Sequence, residues 1–289
     1  MQRREDANVA EGAAEKRSGA ELLARVLTAA VAGPLVVWLT WLGSWPFSIL
    51  ILVTAGIALY EFLGMVERSS PVCLVVSWLL GLGLAFGSTT AWFAQHGWPV
   101  LVAGLLVLLL THLFFPGPVR GSADRAAMSL LGVFYAGALP AVLLQLRAFE
   151  QGWAWVLLTM MITWGGDTSA YFAGRAFGRH KLYPAISPGK SWEGAVGGLV
   201  GSALFALLAW WWFFDGLGPL HAVVLALVAG AVGQAGDLVE SMLKRSVGVK
   251  DSGKLLPGHG GLLDRIDALI FAAPVVWLYA HYLLQWEAA

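Results

Sequence analysis

Charge is scarce in this chain. Lys, Arg, Asp and Glu together make up 12% of its 289 residues, against about 25% in a soluble domain. So little polar surface cannot cover a globule of this length in water. Cysteine is nearly absent: Cys73 stands alone inside an apolar run. It supports neither a disulfide framework nor a thiolate metal cluster, and it reads as a small buried apolar residue. Two nucleotide signatures are also missing. There is no GxxxxGK[ST] and no GxGxxG after a strand, which excludes a P-loop and a dinucleotide fold. The basic residues lie in short loops, not on a basic domain, so no nucleic-acid partner is expected. The 18 Lys and Arg balance the 18 Asp and Glu, so total charge says nothing about partners.

What is present is apolar length: 58% of residues are hydrophobic, and several runs reach the ~20 residues that cross a bilayer. The expectation is an all-α, polytopic membrane protein. Its nine spans fall near 26–43, 46–64, 71–93, 98–115, 126–146, 152–171, 194–214, 219–241 and 262–285. Pro34, Pro140 and Pro274 lie inside spans, where neighbouring helices can satisfy the freed carbonyls. Small residues at four-residue spacing, Gly194–Gly198 and Ala226–Gly230, favour close helix packing. Residues 1–25 read as a polar cytoplasmic tail, 26–150 as a variable set of spans, and 151–289 as the half that carries the chemistry. With nine spans, every Lys and Arg except Arg147 falls on the side of the N-terminus. The positive-inside rule makes that side cytoplasmic. The polar loops 172–193 and 242–261 then face the cytoplasm together, beneath an inner or plasma membrane.

Three polar groups close the last four spans: Gly166–Tyr171 with Asp167, Ile186–Gly194 with Ser187, Lys190, Ser191 and Glu193, and Gly236–Asp267. On a helix, Asp237, Glu240, Ser241 and Lys244 share one face. A helix-end ion pair between Asp237 and Lys244 would account for them blandly; a carboxylate ligand set for a hard cation is the sharper reading. Asp264 and Asp267 sit one turn apart at the start of span nine. They either complement the helix dipole or, for Asp264, meet Asp237 around one or two metal ions. Gly260 and Gly261, after His259, form either a plain turn or a close-approach anion site at a helix N-terminus. His259 can donate to phosphate; the other five His are taken as structural. Lys244, Arg245, Lys250 and Arg265 serve as membrane-surface anchors or as phosphate ligands, and Lys254 as an anchor. Asp251 lies in the same cluster. Ser187 or Ser191 contacts phosphate or caps the helix starting near Trp192.

The run Ser241-x-x-Lys244-Arg245-(four residues)-Lys250-Asp251-x-Gly253-x-x-Leu256-Pro257-x-His259-Gly260-Gly261-x-x-Asp264-Arg265-x-Asp267 resembles the signature of the phosphatidate cytidylyltransferase, or CDP-diacylglycerol synthase, family. The segments 166–171 and 186–194 are similar to that family too. The resemblance implies transfer of CMP from CTP to phosphatidate, with Mg²⁺ required and K⁺ as a candidate second cation on Asp237 and Asp264. It also implies that Asp237, Asp264, Lys244, Lys250, Asp251, His259 and Arg265 act at the reacting phosphates. Asp167, Ser187, Lys190, Glu193, Ser241, Arg245, Gly260, Gly261 and Asp267 would then contact substrate, and Glu240 would join the metal ligands. The partners are CTP, phosphatidate and membrane lipid, and a homodimer is the candidate assembly. Three alternatives stay open: an ion-coupled transporter, a cytidylyltransferase for another lipid phosphate, and a membrane scaffold without catalysis. Clustering at one membrane face argues against transport, which favours the midplane.

Overall fold

A computed structural model describes residues 30–253, 255 and 260–286. The tail 1–25, the first residues of span one, Lys254 and His259 lie outside these described residues. Nine helical rods lie among the described residues: α1 (Ala30–Leu42), α2 (Ser44–Val66), α3 (Pro71–Gly87), α4 (Ala91–Phe114), α5 (Ser122–Gly132) running on through α6 (Val142–Arg147), α7 (Gly152–Phe177), α8 (Trp192–Trp212), α9 (Pro219–Ser246) and α10 (Leu263–Leu278). Six are long and apolar enough to cross a membrane, by length and composition. The all-α, polytopic expectation is met. α7 has 26 residues, length enough for a bilayer, but Asp167 and Arg175 make it more polar than a lipid-facing span.

Several boundaries differ from the sequence reading, each for a local reason. The break between spans three and four falls at residues 88–90, not 94–97. There the hydroxyls of Ser88, Thr89 and Thr90 donate to the carbonyls of Ala85, Phe86 and Gly87, which competes with helix continuation. Thr90 then caps α4, and Pro99 falls inside that helix. Span five is interrupted: Val133–Ala138 is π-helical and Leu139–Ala141 is a 3-10 turn, because Pro140 cannot donate to the ladder. The expected loop 172–193 is shorter, since α7 runs on to Phe177. A two-stranded antiparallel hairpin, β1 (Lys181–Tyr183) and β2 (Ser187–Ser191), fills most of the rest. α9 likewise continues to Ser246, so Lys244 and Arg245 are helical residues.

α7 and α8 pack most extensively, and α9 joins both α8 and α10. The small residues at four-residue spacing face neighbours as expected. A methyl at Gly198 would stand 3.0 Å from Ala170 Cβ of α7, and one at Gly230 would stand 2.9 Å from Ser202 Oγ of α8. The buried core runs through both halves, with Phe47, Leu59, Phe62, Trp155, Ile162, Leu225, Leu263 and Ile270 in one cluster. Arg147, the lone cation on the far side, caps a helix: its Nε donates to Thr40 O at 2.9 Å, near the C-terminus of α1.

Candidate functional site

Asp237, Glu240 and Lys244 lie on consecutive turns of α9, the shared face that the sequence pattern requires. The first two turns of α10 bring Asp264, Arg265 and Asp267 against it; α7 adds Asp167 and Arg175, and β2 adds Lys190. Together they line a cavity of about 650 Å³. Six carboxylates face it (Asp167, Asp237, Glu240, Asp251, Asp264, Asp267) against four cations (Arg175, Lys190, Lys244, Arg265).

The polar groups are tightly paired. Lys244 Nζ lies 2.6 Å from Glu240 Oε2 and 2.6 Å from Asp264 Oδ1. Lys190 Nζ lies 2.7 Å from Asp237 Oδ2. Thus the structure brings Asp237 and Asp264 into one cavity but divides them between two lysines. The bland pairing of Asp237 with Lys244 is not formed. Asp264 also accepts N–H bonds from Ser252, at 3.3 and 3.2 Å to its two oxygens, and from Gly261, at 2.9 Å. Ser241 Oγ sits 3.5 Å from Asp237 Oδ1. The excess of carboxylates over cations, and a buried Glu240 Oε1 with no hydrogen-bond partner, give a donor set that suits a hard, oxygen-seeking divalent cation.

Several expected substrate contacts are used otherwise. Glu193 accepts from the backbone N–H groups of Arg179 and His180, and it meets His180 Nδ1 at 2.6 Å. It fastens the start of the hairpin to the N-terminus of α8 and does not line the cavity. Ser191 lines the cavity but its Oγ caps α8, accepting from Gly194 N at 3.1 Å; Ser187 is off the lining. Arg245 is exposed and donates to Val249 O at 3.0 Å, and Lys250 is exposed outside the cavity. Two N–H groups of the anion site expected at the start of α10 are already used: Gly261 N donates to Asp264, and Leu263 N donates to Glu61 Oε2 at 2.9 Å.

Glu61, in the C-terminal part of α2, is a carboxylate beside the candidate site that the motif reading missed. It is 8% exposed and enters the loop before α10 from the other half of the molecule. Ser252 Oγ donates to its Oε2 at 3.4 Å. The glycines around it make room: a Cβ at Gly253 would stand 2.2 Å from Glu61 Oε1, and one at Gly261 2.7 Å from Oε2. One signal was available. A carboxylate inside an otherwise apolar span is a functional candidate by default. Gln234 carried a similar signal; its side-chain amide donates to Ala195 O at 3.1 Å, and its backbone carbonyl lies 3.5 Å from Lys190 Nζ.

Residues 23–283 match the cytidylyltransferase family. A phosphatidate cytidylyltransferase of Brucella abortus is 38% identical over 269 residues, covering 89% of this chain and 93% of its own. The phosphatidate cytidylyltransferase of Bacillus subtilis is 32% identical over 261 residues, covering 88% and 95%. That of Synechocystis is 32% identical over 292 residues, covering 90% and 97%.

Proposed function

The chain belongs to the cytidylyltransferase family, and from that premise we propose that it transfers CMP from CTP to phosphatidate. A phosphatidate oxygen attacks the α-phosphorus of CTP. The bond from that phosphorus to the oxygen bridging to the β-phosphate breaks, and pyrophosphate leaves in line with CDP-diacylglycerol formed. The nucleophile is already an anion, so the site owes the reaction positioning and charge compensation, not a strong base. The observation that carries this reading is one cavity in which six carboxylates and four cations from α7, β2, α9, the segment after α9 and α10 converge.

Asp237 and Asp264, with Glu240 beside them, would hold Mg²⁺, with K⁺ as the second cation. Bound there, the metal supplies positive charge to the triphosphate and the leaving pyrophosphate. Arg265, Arg175 and Lys190 bind phosphate oxygens, Arg by its bidentate fork. Lys244 keeps Glu240 and Asp264 at a fixed separation. Asp167 and Asp267 close the acidic side of the cavity, while Tyr171 and Leu182 give it an apolar wall against which lipid can lie. The positive-inside pattern supports a cytoplasmic position for this cavity at the cell membrane, where CTP is available.

Purified protein given radiolabelled CTP and phosphatidate is expected to incorporate label into lipid, with ATP, GTP and UTP inert. EDTA is expected to stop incorporation and Mg²⁺ to restore it. Absence of label in lipid would favour transport. Label on another lipid phosphate but not on phosphatidate would identify a different acceptor.

A further inference from the structure

A second cluster lies away from the cavity, where the ends of α2, α3 and α4 meet. Glu67 follows the last turn of α2, Cys73 is in the first turn of α3, and His112 is in the last turn of α4. All three are buried, and one ligand atom from each lies within 4.8 Å of the others. We propose that Glu67, Cys73 and His112 form a binding site for a borderline divalent cation of the zinc class, separate from the catalytic cavity.

The donors are one carboxylate oxygen, one imidazole nitrogen and one thiol sulfur, a mixed set that suits Zn²⁺ and not Mg²⁺. Bonds of about 2.0–2.3 Å put tetrahedral ligands roughly 3.3–3.8 Å apart. Closing the cluster on a metal therefore takes side-chain shifts of about 1 Å. The histidine is already oriented for it. Its Nδ1 lies 2.8 Å from Leu108 O, an acceptor only, so Nδ1 carries the proton and Nε2 is the nitrogen turned to Glu67 Oε1, 2.8 Å away. Metal-bound histidines are held by this kind of outer hydrogen bond.

As an ordinary polar network the cluster is incomplete. Ser129 Oγ donates to Glu67 Oε1 at 2.9 Å, but buried Glu67 Oε2 has no hydrogen-bond partner, and neither has Arg125 Nε, 3.9 Å away. Cys73 Sγ lies 3.3 Å from the carbonyl of Phe115 and 3.8 Å from that of Thr111. A cation would use Oε2 as well as Oε1. The thiol proton, and the proton shared between Nε2 and Oε1, would leave to water. The result would be a clip across three helix ends.

Cys73 is the chain's single cysteine, which makes the test specific. Full-length protein without a histidine tag, stripped of metal and kept reduced by a phosphine, would be titrated with Co²⁺ in excess Mg²⁺. One equivalent is expected to bind with a thiolate-to-cobalt charge-transfer absorption, displaced by Zn²⁺. Cys73→Ser should abolish that absorption, and both Cys73→Ser and His112→Gln should weaken Co²⁺ binding roughly tenfold or more. No charge-transfer absorption in the wild-type protein at saturating Co²⁺ overturns the proposal, and this result needs no variant to fold. Unchanged Co²⁺ affinity in Cys73→Ser overturns it equally.

Discussion

At the residue scale, the site divides its carboxylates by how they are neutralised. Asp237 is partly open and pairs with Lys190, whereas Asp264 is held by Lys244 and two backbone N–H groups. Asp237→Asn removes charge without emptying space. It is expected to lower turnover about 10²-fold or more, with expression and melting temperature unchanged; near-normal CMP transfer would remove Asp237 from the metal-binding role. Lys244→Met should behave differently. It leaves Glu240, 2% exposed, and Asp264 facing each other without their ammonium. Breaking a buried ion pair costs about 3–5 kcal/mol, to be read as a large fall in the melting temperature of the detergent-solubilised protein. Adding Glu240→Gln should recover part of that fall, because one of the two uncompensated charges is gone. A single variant as stable as wild type would show that Lys244 serves the substrate and not the fold.

At the element scale, the start of α10 depends on α2. Glu61 takes the Leu263 N–H and the Ser252 hydroxyl, the work of an N-cap done from a distant helix. Glu61→Ala is expected to cost about 1 kcal/mol through the lost cap, and to speed hydrogen exchange at Ser252 and Leu263 while raising KM for CTP. Glu61→Gln keeps an acceptor oxygen and should recover most of the protection. Equal exchange in Glu61→Ala and wild type would sink the clamp. This dependence marks where the sequence stopped being legible. Local periodicity correctly put Asp237, Glu240 and Lys244 on one face, and the apolar runs located the nine rods. The pairing of Lys190 with Asp237 spans two elements, and that of Glu61 with Leu263 spans most of the chain; spacing encodes neither. Glycines 253 and 261 could be read as room for a ligand, because a sequence does not show that Glu61 already fills that room.

At the scale of the whole molecule, the placement of charge supports the proposal that the cavity serves the cytoplasmic face of the membrane. Among the described residues, the loops after α2, α4, α7 and α9 and the helix ends beside them hold all the basic residues except Arg147. Arg147 stands opposite, spent on the carbonyls of α1. Charged loops cross a bilayer poorly, so the pattern sets one orientation for the whole bundle. Buried Cys73, 1% exposed, leaves the wild-type surface silent to thiol reagents, and two added cysteines can read the two faces. Val119→Cys lies in the loop after α4 and Glu150→Cys in the turn before α7, both at exposed positions. In right-side-out vesicles, an impermeant maleimide is expected to label Glu150→Cys at once and Val119→Cys only after permeabilisation. The reverse order would turn the bundle over and put the cavity on the face without CTP, which the proposed reaction could not survive. Labelling of both before permeabilisation would mean that α5 to α6 does not cross the membrane, although its 26 residues are long and apolar enough to do so.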